Sequence, residues 1–477
     1  MTKNVTHDAD VDLTALALTG PVHFMGICGS GMSALAELLV RNGGTVTGCD
    51  LRTGATGGAL REHGIIVDEG HDPAHVADAV ALVVTSAVPA QHPEMQAARE
   101  RGIPVLKRAQ ALGAIVNQGT LLAVAGTHGK TTTTAATTAI LEAADLDPTG
   151  VVGGRMKGWG GGLRRGGSDI FVVEADEYDR SFLTLRPSAA LVTNVEADHL
   201  DIYGDLSGIE AAFAEFLSQV RPGGMIAVCI DDEGARRAGE EVAKTRAVLT
   251  YGTSARATLR ATDISQNGRT MAFTIEEDGV ELGRVKLASP GLHNVRNALG
   301  AFALARHAGA GLDAADLALR EFSGVSRRFQ ELGTAAGVSV VDDYAHHPTE
   351  VEVTIEAARG MYPGRRIIAV FQPHLYSRTR DHAEAFGKAL MAADEVWISD
   401  VYAAREAPIR GVTGALIAEA TQAAGSDWVR YVPALPALID VLRNRLQDGD
   451  VVVAMGAGDI DEQAHRLFAA LEKGADA

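Results

Sequence analysis

Cysteine is scarce in this sequence, which holds three among 477 residues: Cys28, Cys49 and Cys229. They form no CxxC pair and no spacing typical of metal ligands, which excludes a disulfide scaffold and the common sequence-local metal motifs. The sequence therefore predicts reduced thiols in a cytoplasm. Cys28 lies in a glycine-rich loop, but nothing beside it in the chain is suited to activate it as a nucleophile.

Long hydrophobic runs are also lacking. No stretch approaches the roughly 18 consecutive apolar residues of a transmembrane helix. The first residues, MTKNVTHDADVDLTALAL, have no basic segment followed by a long apolar run, so we expect a short disordered lead without a secretion signal. Apolar residues make up 46% and charged residues 22%, the balance of a soluble globular protein.

Positive charge is in short supply, because 43 lysines and arginines face 61 aspartates and glutamates and leave a net charge of −18. This balance argues against a broad nucleic-acid surface. The basic residues nevertheless gather in three places, which favours pockets for small anions. Those places hold Arg155, Lys157, Arg164 and Arg165; Arg327 and Arg328; and Arg378 and Arg380.

Short β-branched runs alternate with amphipathic helical stretches along almost the whole chain, the pattern of α/β domains with largely parallel sheets. Between about residues 257 and 288 strands follow one another without a helix, which predicts a small antiparallel patch. The length is too great for one core. We predict three α/β domains over residues 1–118, 119–324 and 325–477.

The segment GTHGKTT follows the apolar run LLAVA and opens a long helix. A glycine turn there exposes backbone N–H groups at the positive end of a helix, which suits a phosphate. Lys130 can reach phosphate oxygens, and the Thr131 hydroxyl can enter a magnesium shell. A tight strand-to-helix turn would explain the glycines but not this lysine and threonine together. Val124 stands where the general Walker pattern has glycine, so the loop is a shortened GxxGKT variant. The predicted ATP loop comprises Gly126, Thr127, His128, Gly129, Lys130, Thr131 and Thr132.

Six further motifs occur in order: EADEYDRSF at 174–182, TNVEADHLD at 193–201, GLHNVRNALGA at 291–301, SRRF at 326–329, DDYAHHPTE at 342–350 and FQPHLYSRTR at 371–380. Together with GTHGKTTTT they resemble the Mur ligase family, whose members join amino acids to UDP-muramyl precursors. The last two motifs look most like the family member that adds L-alanine.

The resemblance implies an ATP-dependent ligase of peptidoglycan synthesis that joins UDP-N-acetylmuramate to L-alanine and releases ADP and phosphate. A carboxylate does not react with an amine at neutral pH, and the family's solution is to phosphorylate it to an acyl phosphate. The first domain would be Rossmann-like and bind the UDP-sugar. The central domain would be P-loop ATPase-like, and the third Rossmann-like and bind the amino acid. We expect a cytoplasmic monomer or homodimer with no nucleic-acid partner.

Two Mg²⁺ sites follow from the resemblance. Thr131 and Glu174 would hold the first ion, and His199 would hold the second near the muramyl carboxylate. Glu174 and His199 each follow an apolar run, at the sheet edge where ligands collect in α/β proteins. Relatives that add later amino acids carry a CO2-modified lysine soon after that histidine, and the stretch LDIYGDLSGIEAAFAEF has none. This absence favours the L-alanine-adding member.

The resemblance also assigns roles to later residues. Asn294 and Asn297, at a helix start, would contact the adenine side of ATP, although asparagine there is often only a cap. Arg328 would reach phosphate and Asp343 the ribose, so that ATP would contact two domains. The predicted catalytic residues are Lys130, His199, Arg328 and His346. The predicted amino-acid site, in which paired arginines suit a carboxylate fork, comprises Tyr344, His346, His374, Tyr376, Arg378 and Arg380.

Another glycine loop precedes the predicted ATP loop, or P-loop, in the chain and is called the first glycine loop below. The run GSGMSA from Gly29 matches GxGxxA, and Asp50 lies about 20 residues on at a strand end, which is typical of an NAD site. In the Mur ligase family the same geometry cradles the UDP diphosphate, although relatives usually carry glycine where this chain has Cys28. The residues implied at the UDP-sugar are Gly29, Ser30, Gly31, Met32, Asp50, His71 and Ser86.

Three alternatives stay open. The first is another Mur-type ligase, one that recycles peptides or adds D-glutamate, and the motif FQPHLYSRTR and the missing lysine argue against it. The second is an NAD-binding oxidoreductase, which only the first glycine loop favours. The third is a non-catalytic P-loop regulator, which would leave the histidine and arginine clusters without a role.

Overall fold

The computed structural model describes residues 11–85, 88–154, 156, 158–159, 161–322, 324–404 and 406–475, apart from the side chains at positions 30, 201, 474 and 475. This part of the chain forms three β-sheets and folds into two compact units. The first unit holds the described residues up to Arg260, together with Glu276–Leu282 and Arg296–Ala318. The second holds Ala261–Ile275, Gly283–Val295 and the chain from Leu319 onward.

The first sheet contains strands β1 Val22–Met25, β2 Val46–Asp50, β3 Ile66–Glu69, β4 Ala81–Val84 and β5 Val105–Lys107. Its order is β3-β2-β1-β4-β5, and every neighbouring pair is parallel. The strand order reverses at β1, so the glycine loop after β1 lies where α/β sheets bind ligands. The prediction of a Rossmann-like first domain is confirmed. Its helices are α1 Leu13–Ala17, α2 Ser30–Arg41, α3 Gly54–Glu62, α4 Pro93–Glu100 and α5 Arg108–Val116, with a 3₁₀ segment at Pro73–Val76.

Helix α1 corrects one expectation. The predicted disordered lead is wrong from residue 13 to residue 17, where Leu13 and Ala17 are buried in the core of the first sheet. Two apolar residues one helical turn apart were the available signal, because that spacing places them on one face. Residues 1–10 of the predicted lead lie outside the described part.

The second sheet has ten strands: β6 Thr120–Ala125, β7 Thr149–Val151, β8 Leu163–Arg164, β9 Ile170–Glu174, β10 Ala189–Val192, β11 Met225–Cys229, β12 Leu249–Gly252, β13 Leu259–Asn267, β14 Thr270–Glu277 and β15 Val280–Leu287. Their order is β15-β14-β13-β12-β11-β10-β6-β9-β7-β8. Two-residue connections join β13 to β14 and β14 to β15, and such short connections require antiparallel pairing. The predicted antiparallel patch is therefore confirmed.

The helices that accompany the second sheet are α6 Lys130–Ala143, α7 Leu200–Tyr203, α8 Leu206–Ser218, α9 Glu233–Ala243, α10 Leu292–His307 and α11 Leu312–Glu321, with a 3₁₀ segment at Tyr178–Thr184. Strand β6 lies in the sheet interior, between β10 and β9. All but one of its residues are buried, which anchors the loop that follows it.

The third sheet has the order β16-β17-β21-β18-β19-β20, in which only the edge strand β16 is antiparallel to its neighbour among the pairs described. Val340 and Val452 are buried on one face, and Val341 and Val453 on the other, as expected of a parallel sheet covered on both sides. Its strands are β16 Gln330–Ala335, β17 Val338–Asp343, β18 Arg366–Phe371, β19 Glu395–Ile398, β20 Val429–Tyr431 and β21 Asp450–Met455. Its helices are α12 Pro348–Met361, α13 Tyr376–Leu390, α14 Ala415–Ala423, α15 Leu435–Arg443 and α16 Ile460–Ala475.

A single core of buried apolar side chains runs from the first sheet into the second, which explains why both lie in one compact unit. The predicted boundaries at 118 and 324 fall in the connections from α5 to β6 and from α11 to β16. They stay predictions. Within the described ranges, no helix combines the length and the hydropathy needed to cross a membrane.

Candidate active site

The P-loop runs from the C-terminal end of β6 to the first turn of α6. Gly129 caps the helix with a φ of 79°, and a Cβ atom there would lie 2.6 Å from Asn297 Oδ1. A side chain at this position would therefore meet both backbone strain and a clash. Asn297, which is predicted to contact ATP, therefore lies against the P-loop. The backbone N–H groups of this loop, at the N-terminus of α6, favour phosphate binding.

Residues after β10 hold the P-loop in shape. Asn194 Oδ1 accepts a hydrogen bond from His128 N at 2.7 Å, and Asn194 Nδ2 donates to His128 O at 3.0 Å. Thr193 Oγ1 donates to the same carbonyl at 2.6 Å. In the motif TNVEADH, only the histidine had a predicted role. The signal for Thr193 and Asn194 was their place directly after an apolar strand.

Lys130 lies folded against its own loop. Its Nζ donates to two loop carbonyls at 2.6 and 3.1 Å and lies 2.8 Å from Glu177 Oε2. Burial alone would lower the pKa of Lys130, but Glu177, Asp176 and Glu174 together raise it. Burial raises the pKa of Glu177 to about 7, against the lowering effect of Lys130. Glu177 lies in the motif EADEYD, yet the sequence did not distinguish it from the neighbouring acidic residues.

Thr131 and Glu174, the predicted ligands of the first Mg²⁺, lie side by side. Thr131 Oγ1 donates to Glu174 Oε1 at 2.9 Å, and Gly153 N donates to Glu174 Oε2 at 2.7 Å. A hydroxyl and a carboxylate supply the oxygen ligands that Mg²⁺ prefers. The residues present therefore fit the predicted ion.

His199, the predicted ligand of the second Mg²⁺, lies near the same acidic group. Its Nε2 is 3.9 Å from Glu177 Oε1 and 3.8 Å from Asp198 Oδ2. Its φ of 53° is left-handed, which is strained for a residue other than glycine. Strain of this kind is concentrated at functional sites. The structure thus places His199 and Lys130 around one buried carboxylate.

The first glycine loop leads into α2, with Gly29 as its N-cap. Cys28 N donates to Asp50 Oδ2 at 3.0 Å, so Asp50 fixes the loop backbone. A Cβ atom on Gly31 would lie 3.0 Å from Arg108 Nη1, which places a guanidinium beside the N-terminal turn of this helix. Sequence reasoning missed Arg108, because nothing local in LKRAQAL relates it to a loop far earlier in the chain.

Met32, predicted at the UDP-sugar, lies on the first turn of α2. Its side chain is buried in the core of the first sheet, and its N–H donates to Gly29 O at 2.9 Å. Its place in the UDP-sugar site stays a prediction. The side chain of Ser30 and the whole of Ser86 lie outside the described residues.

His71, predicted near the uridine, contacts other residues of the first domain. Its Nδ1 lies 3.2 Å from Cys49 Sγ and 3.3 Å from Glu94 Oε2. Glu94 is completely buried, whereas His71 is partly exposed. The sequence did not indicate this cluster, since its members are far apart along the chain.

The basic loop after β7 has acidic partners of its own. Arg164 forms ion pairs with Glu142 at 2.9 Å and Asp147 at 3.1 Å, and Arg165 forms one with Glu37. The predicted role of this basic loop at a small anion stays a prediction, and in this conformation both arginines have acidic partners. Arg155 and Lys157 of the same predicted cluster lie outside the described residues.

In the third sheet, β17 ends at Asp343. Its two oxygens accept hydrogen bonds from Phe329 N at 2.6 Å and Ala345 N at 2.7 Å, and burial raises the pKa of Asp343 to about 6. Each carboxylate oxygen has a further lone pair for a ribose hydroxyl. Asp343 thus shapes the turn on which the predicted residues Arg328 and His346 depend.

Glu350 joins those two predicted catalytic residues. It accepts a hydrogen bond from Arg328 Nη1 at 3.0 Å and from His346 N at 3.0 Å, and its carboxylate lies 3.1 Å from His346 Nδ1. Glu350 is the last residue of the quoted motif DDYAHHPTE, but sequence reasoning gave it no role. Its position on the first turn of α12 was the available signal.

The rings of the predicted amino-acid site lie together. His346 lies edge-on to Tyr344 at 5.1 Å and to His374 at 5.8 Å between ring centroids. Tyr402, which was not predicted, stacks on His374 at 5.9 Å. Tyr376 begins α13 nearby in sequence and is half-buried.

Arg378 and Arg380 do not form the predicted fork. Both lie on α13 two residues apart, a spacing at which helical side chains point to different faces. Arg378 is buried, whereas Arg380 is exposed and pairs with Asp381 at 2.6 Å. A planar clamp by both guanidinium groups is therefore wrong for this structure.

Asn294 lies in the first turn of α10, where its side chain forms a hydrogen bond to the backbone just before the helix. Its Nδ2 donates to Pro290 O at 2.7 Å, and the side chain is buried. Its predicted contact with adenine stays a prediction. Thr132, on the first turn of α6, is half-buried and remains a predicted part of the ATP loop.

A lysine and a threonine at a helix N-terminus face the carboxylates of Glu177 and Glu174, within a chain of three α/β sheets. These features define the class of this protein: it is an α/β nucleotide-binding enzyme. Three family models match in order. The Mur ligase family, catalytic domain, matches residues 21–120, the Mur ligase middle domain matches 124–305, and the Mur ligase, glutamate ligase domain, matches 327–458. The chain belongs to the Mur ligase family. The resemblance drawn from the sequence motifs is confirmed.

Two curated relatives match almost the whole chain. The UDP-N-acetylmuramate–L-alanine ligase of Salinibacter ruber is 41% identical over 459 residues, which are 96% of this chain and 96% of that protein. The enzyme of the same name from Kineococcus radiotolerans is 47% identical over 449 residues, which are 93% of this chain and 95% of that protein.

Solved structures agree with the fold. The UDP-N-acetylmuramate-alanine ligase of Thermotoga maritima superposes with a TM-score of 0.78 at 29% identity, covering 95% of this chain and all of that chain. A murein peptide ligase of Psychrobacter arcticus superposes with a TM-score of 0.66 at 27% identity, covering 95% and 99%. The prediction of a three-domain α/β fold is confirmed.

Proposed function

We propose that this chain is an ATP-dependent ligase that joins the carboxylate of UDP-N-acetylmuramate to L-alanine through an acyl phosphate, releasing ADP and phosphate. The observation that carries the proposal is the likeness to L-alanine ligases at 41% and 47% identity over nearly the full length of both chains. The P-loop geometry supports it independently, because an acyl phosphate requires transfer of a phosphoryl group.

The nucleotide would bind at the N-terminus of α6. Lys130 would leave its loop carbonyls and contact the transferred phosphoryl, where it offsets developing negative charge. Thr131 and Glu174 would hold Mg²⁺, which supplies charge neutralisation at the phosphate oxygens when bound. Asn297, which lies against Gly129, would position the loop and the nucleotide.

The muramyl carboxylate would lie near His199, the predicted ligand of a second Mg²⁺. The left-handed backbone of His199 aims its ring toward Glu177 and thus toward the P-loop lysine. A carboxylate bound there would lie beside the lysine that stabilises the phosphoryl, which is the positioning that such a transfer requires.

The UDP diphosphate would bind at the N-terminus of α2, between Gly29 and Gly31. Arg108, whose guanidinium lies beside that turn and 3.4 Å from Asp176 Oδ2, would supply positive charge at the diphosphate. Asp50 would maintain the loop shape through Cys28 N. This role for Asp50 differs from the ribose contact of an NAD site.

L-Alanine would bind at the end of β17 and the start of α13. Arg378 would pair with its carboxylate, and the rings of Tyr344, His346 and His374 would enclose a small side chain. Glu350 would orient Arg328 and His346 through the bonds described above. A cytoplasmic location and a monomer or homodimer belong to the same proposal.

Phosphate release from ATP tests the proposal. The full-length protein with UDP-N-acetylmuramate and Mg²⁺ should release phosphate with L-alanine, and much more slowly with D-glutamate or with L-alanine-containing peptides. The product of the L-alanine reaction should carry one alanine by mass. Preference for a peptide would indicate the recycling ligase, and hydride transfer with NAD would indicate the oxidoreductase alternative. Either result contradicts the proposal.

A further inference from the structure

A second cluster of metal-ligating side chains lies in the first domain, apart from the P-loop. His23 on β1, Cys49 on β2, His75 in the 3₁₀ segment and Glu94 on α4 place one ligand atom each within 4.8 Å of one another. His23, Cys49 and Glu94 are at most 1% exposed, and His75 connects them to the surface. Four separate elements contribute to one compact donor set.

The distances between donor atoms in this cluster are close to those of ligands around one ion, except that the hydrogen bond between His75 and Glu94 is shorter. His23 Nε2 lies 3.4 Å from Cys49 Sγ, and Cys49 Sγ lies 3.4 Å from Glu94 Oε1. His75 Nδ1 lies 2.8 Å from that same oxygen. Ligand atoms bound to one tetrahedral Zn²⁺ at about 2.0–2.3 Å are roughly 3.3–3.7 Å apart, so small side-chain movements would admit the ion.

We propose that His23, Cys49, His75 and Glu94 form a zinc site. Two imidazoles, one thiolate and one carboxylate are the donor types that Zn²⁺ takes in proteins, and the thiolate disfavours Mg²⁺ and Ca²⁺. Four protein ligands leave no open position, so the ion is structural rather than catalytic. It ties β1 and β2 to the segments that cover one face of the first sheet.

Neighbouring groups orient these ligands. His23 Nδ1 lies 2.9 Å from Thr47 Oγ1, which leaves Nε2 to face Cys49. Asp72 N donates to Glu94 Oε1 at 2.9 Å. Such outer contacts fix ring orientation and tautomer at metal sites. His71 Nδ1 also lies close to this set, 3.2 Å from Cys49 Sγ and 3.3 Å from Glu94 Oε2, and His71, His92 and Glu94 form a second group of possible donors.

Metal analysis of the full-length protein tests the site directly. The metal-free protein should bind about one Zn²⁺ per chain with a dissociation constant below about 1 µM, and its unfolding midpoint should rise. Co²⁺ should give visible d–d bands and a thiolate-to-cobalt charge-transfer band. Binding only at millimolar zinc, or no charge-transfer band, overturns the proposal.

Variants assign the ligands. Cys49→Ser should abolish the charge-transfer band and weaken zinc binding by more than about 100-fold, and His75→Gln, at a partly exposed position, should weaken it without loss of fold. Cys229→Ala and His307→Gln remove another buried thiol and an exposed histidine, and both should bind zinc as the original protein does. Circular dichroism checks folding. If folded Cys49→Ser and His75→Gln both keep full zinc affinity, the assignment is wrong.

Discussion

Lys130 Nζ lies 2.8 Å from Glu177 Oε2, and both side chains are largely buried. A buried ion pair loses hydration on both partners, so its net contribution to stability is small. The pair keeps the lysine charged, since carboxylates raise its pKa. It also holds the lysine on its own loop, from which it must move to reach a phosphate. Glu177 thus keeps Lys130 charged for nucleotide binding, and it also competes with the nucleotide phosphate for Lys130.

Lys130→Ala should lower kcat by about 10²–10³-fold, because it removes one preorganised charge from the phosphoryl transfer. Steady-state phosphate release, with the fold checked by circular dichroism, measures this. Lys244→Ala removes an exposed lysine that pairs only with Glu241 among the contacts described, and should leave kcat unchanged. A folded Lys130→Ala enzyme with normal kcat would contradict the P-loop role.

Glu174→Gln should raise the Mg²⁺ concentration needed for half-maximal activity by about tenfold or more, because it removes a charged oxygen ligand from beside Thr131. A Mg²⁺ titration at saturating ATP measures the shift. Thr131→Val should act in the same direction. Thr137→Val, on the same helix but with its hydroxyl donated to Thr133 O, provides the control. An unchanged Mg²⁺ requirement in both site variants would remove them from the metal site.

Arg378→Ala should raise the KM for L-alanine by about 10–100-fold, the effect of losing one hydrogen-bonded charge pair, and leave the KM for ATP almost unchanged. Arg380→Ala should have a much smaller effect, because its guanidinium is exposed and already paired with Asp381. Initial rates with each substrate varied separately distinguish the two. A larger effect of Arg380→Ala on alanine would restore the fork and reject the assignment to Arg378 alone.

Asp342 should make stability depend on pH. It is completely buried beside Arg327, and burial raises its pKa to about 7. Between about pH 4 and 7 the folded state therefore keeps a proton that the unfolded state has lost. The stabilisation of the folded state by this proton is fully present below about pH 4 and is lost as the pH rises to about 7. Asp342→Asn should reduce the fall in unfolding free energy between about pH 5 and pH 8 by roughly 1 kcal/mol or more.

Urea unfolding at the two pH values measures this difference. Asp461→Asn, which changes a half-exposed carboxylate beside the same Arg327, is the matched control and should keep the fall. If Asp342→Asn and the original protein lose stability equally, the buried carboxylate is not the group that titrates.

The central strands and the α/β fold class could be predicted from the sequence, because fully buried parallel strands are continuous apolar runs. LLAVA, ALVV and VVVAM are such runs, and each forms a central strand. Two polar edge strands, β3 and β16, were not predicted. Strand β3, IVDE, has only one buried residue, so hydropathy did not mark it. Strand β16 is likewise half-exposed along most of its length.

Site residues were predictable where chemistry is local. GTHGKTT fixes a turn, a helix start and a lysine within one segment, and Thr131 and Glu174 do meet as predicted. The fork of Arg378 and Arg380 was wrong because residues two apart diverge on a helix, and the sequence did not reveal that both lie on α13. The burial of Met32 was not predicted either, since only the structure shows that the first helical turn directs its side chain into the core.

The sequence by itself determined the Mur ligase family, the α/β class and the phosphate loop, because each depends on residues that are neighbours in the chain. Only the tertiary structure decided which distant groups meet: Arg108 beside Gly31, Glu177 beside Lys130, and His23, Cys49, His75 and Glu94 around one point. Parallel sheets bring together the ends of strands that are remote in sequence. Contacts of this kind depend on strand order and register, which no local pattern records.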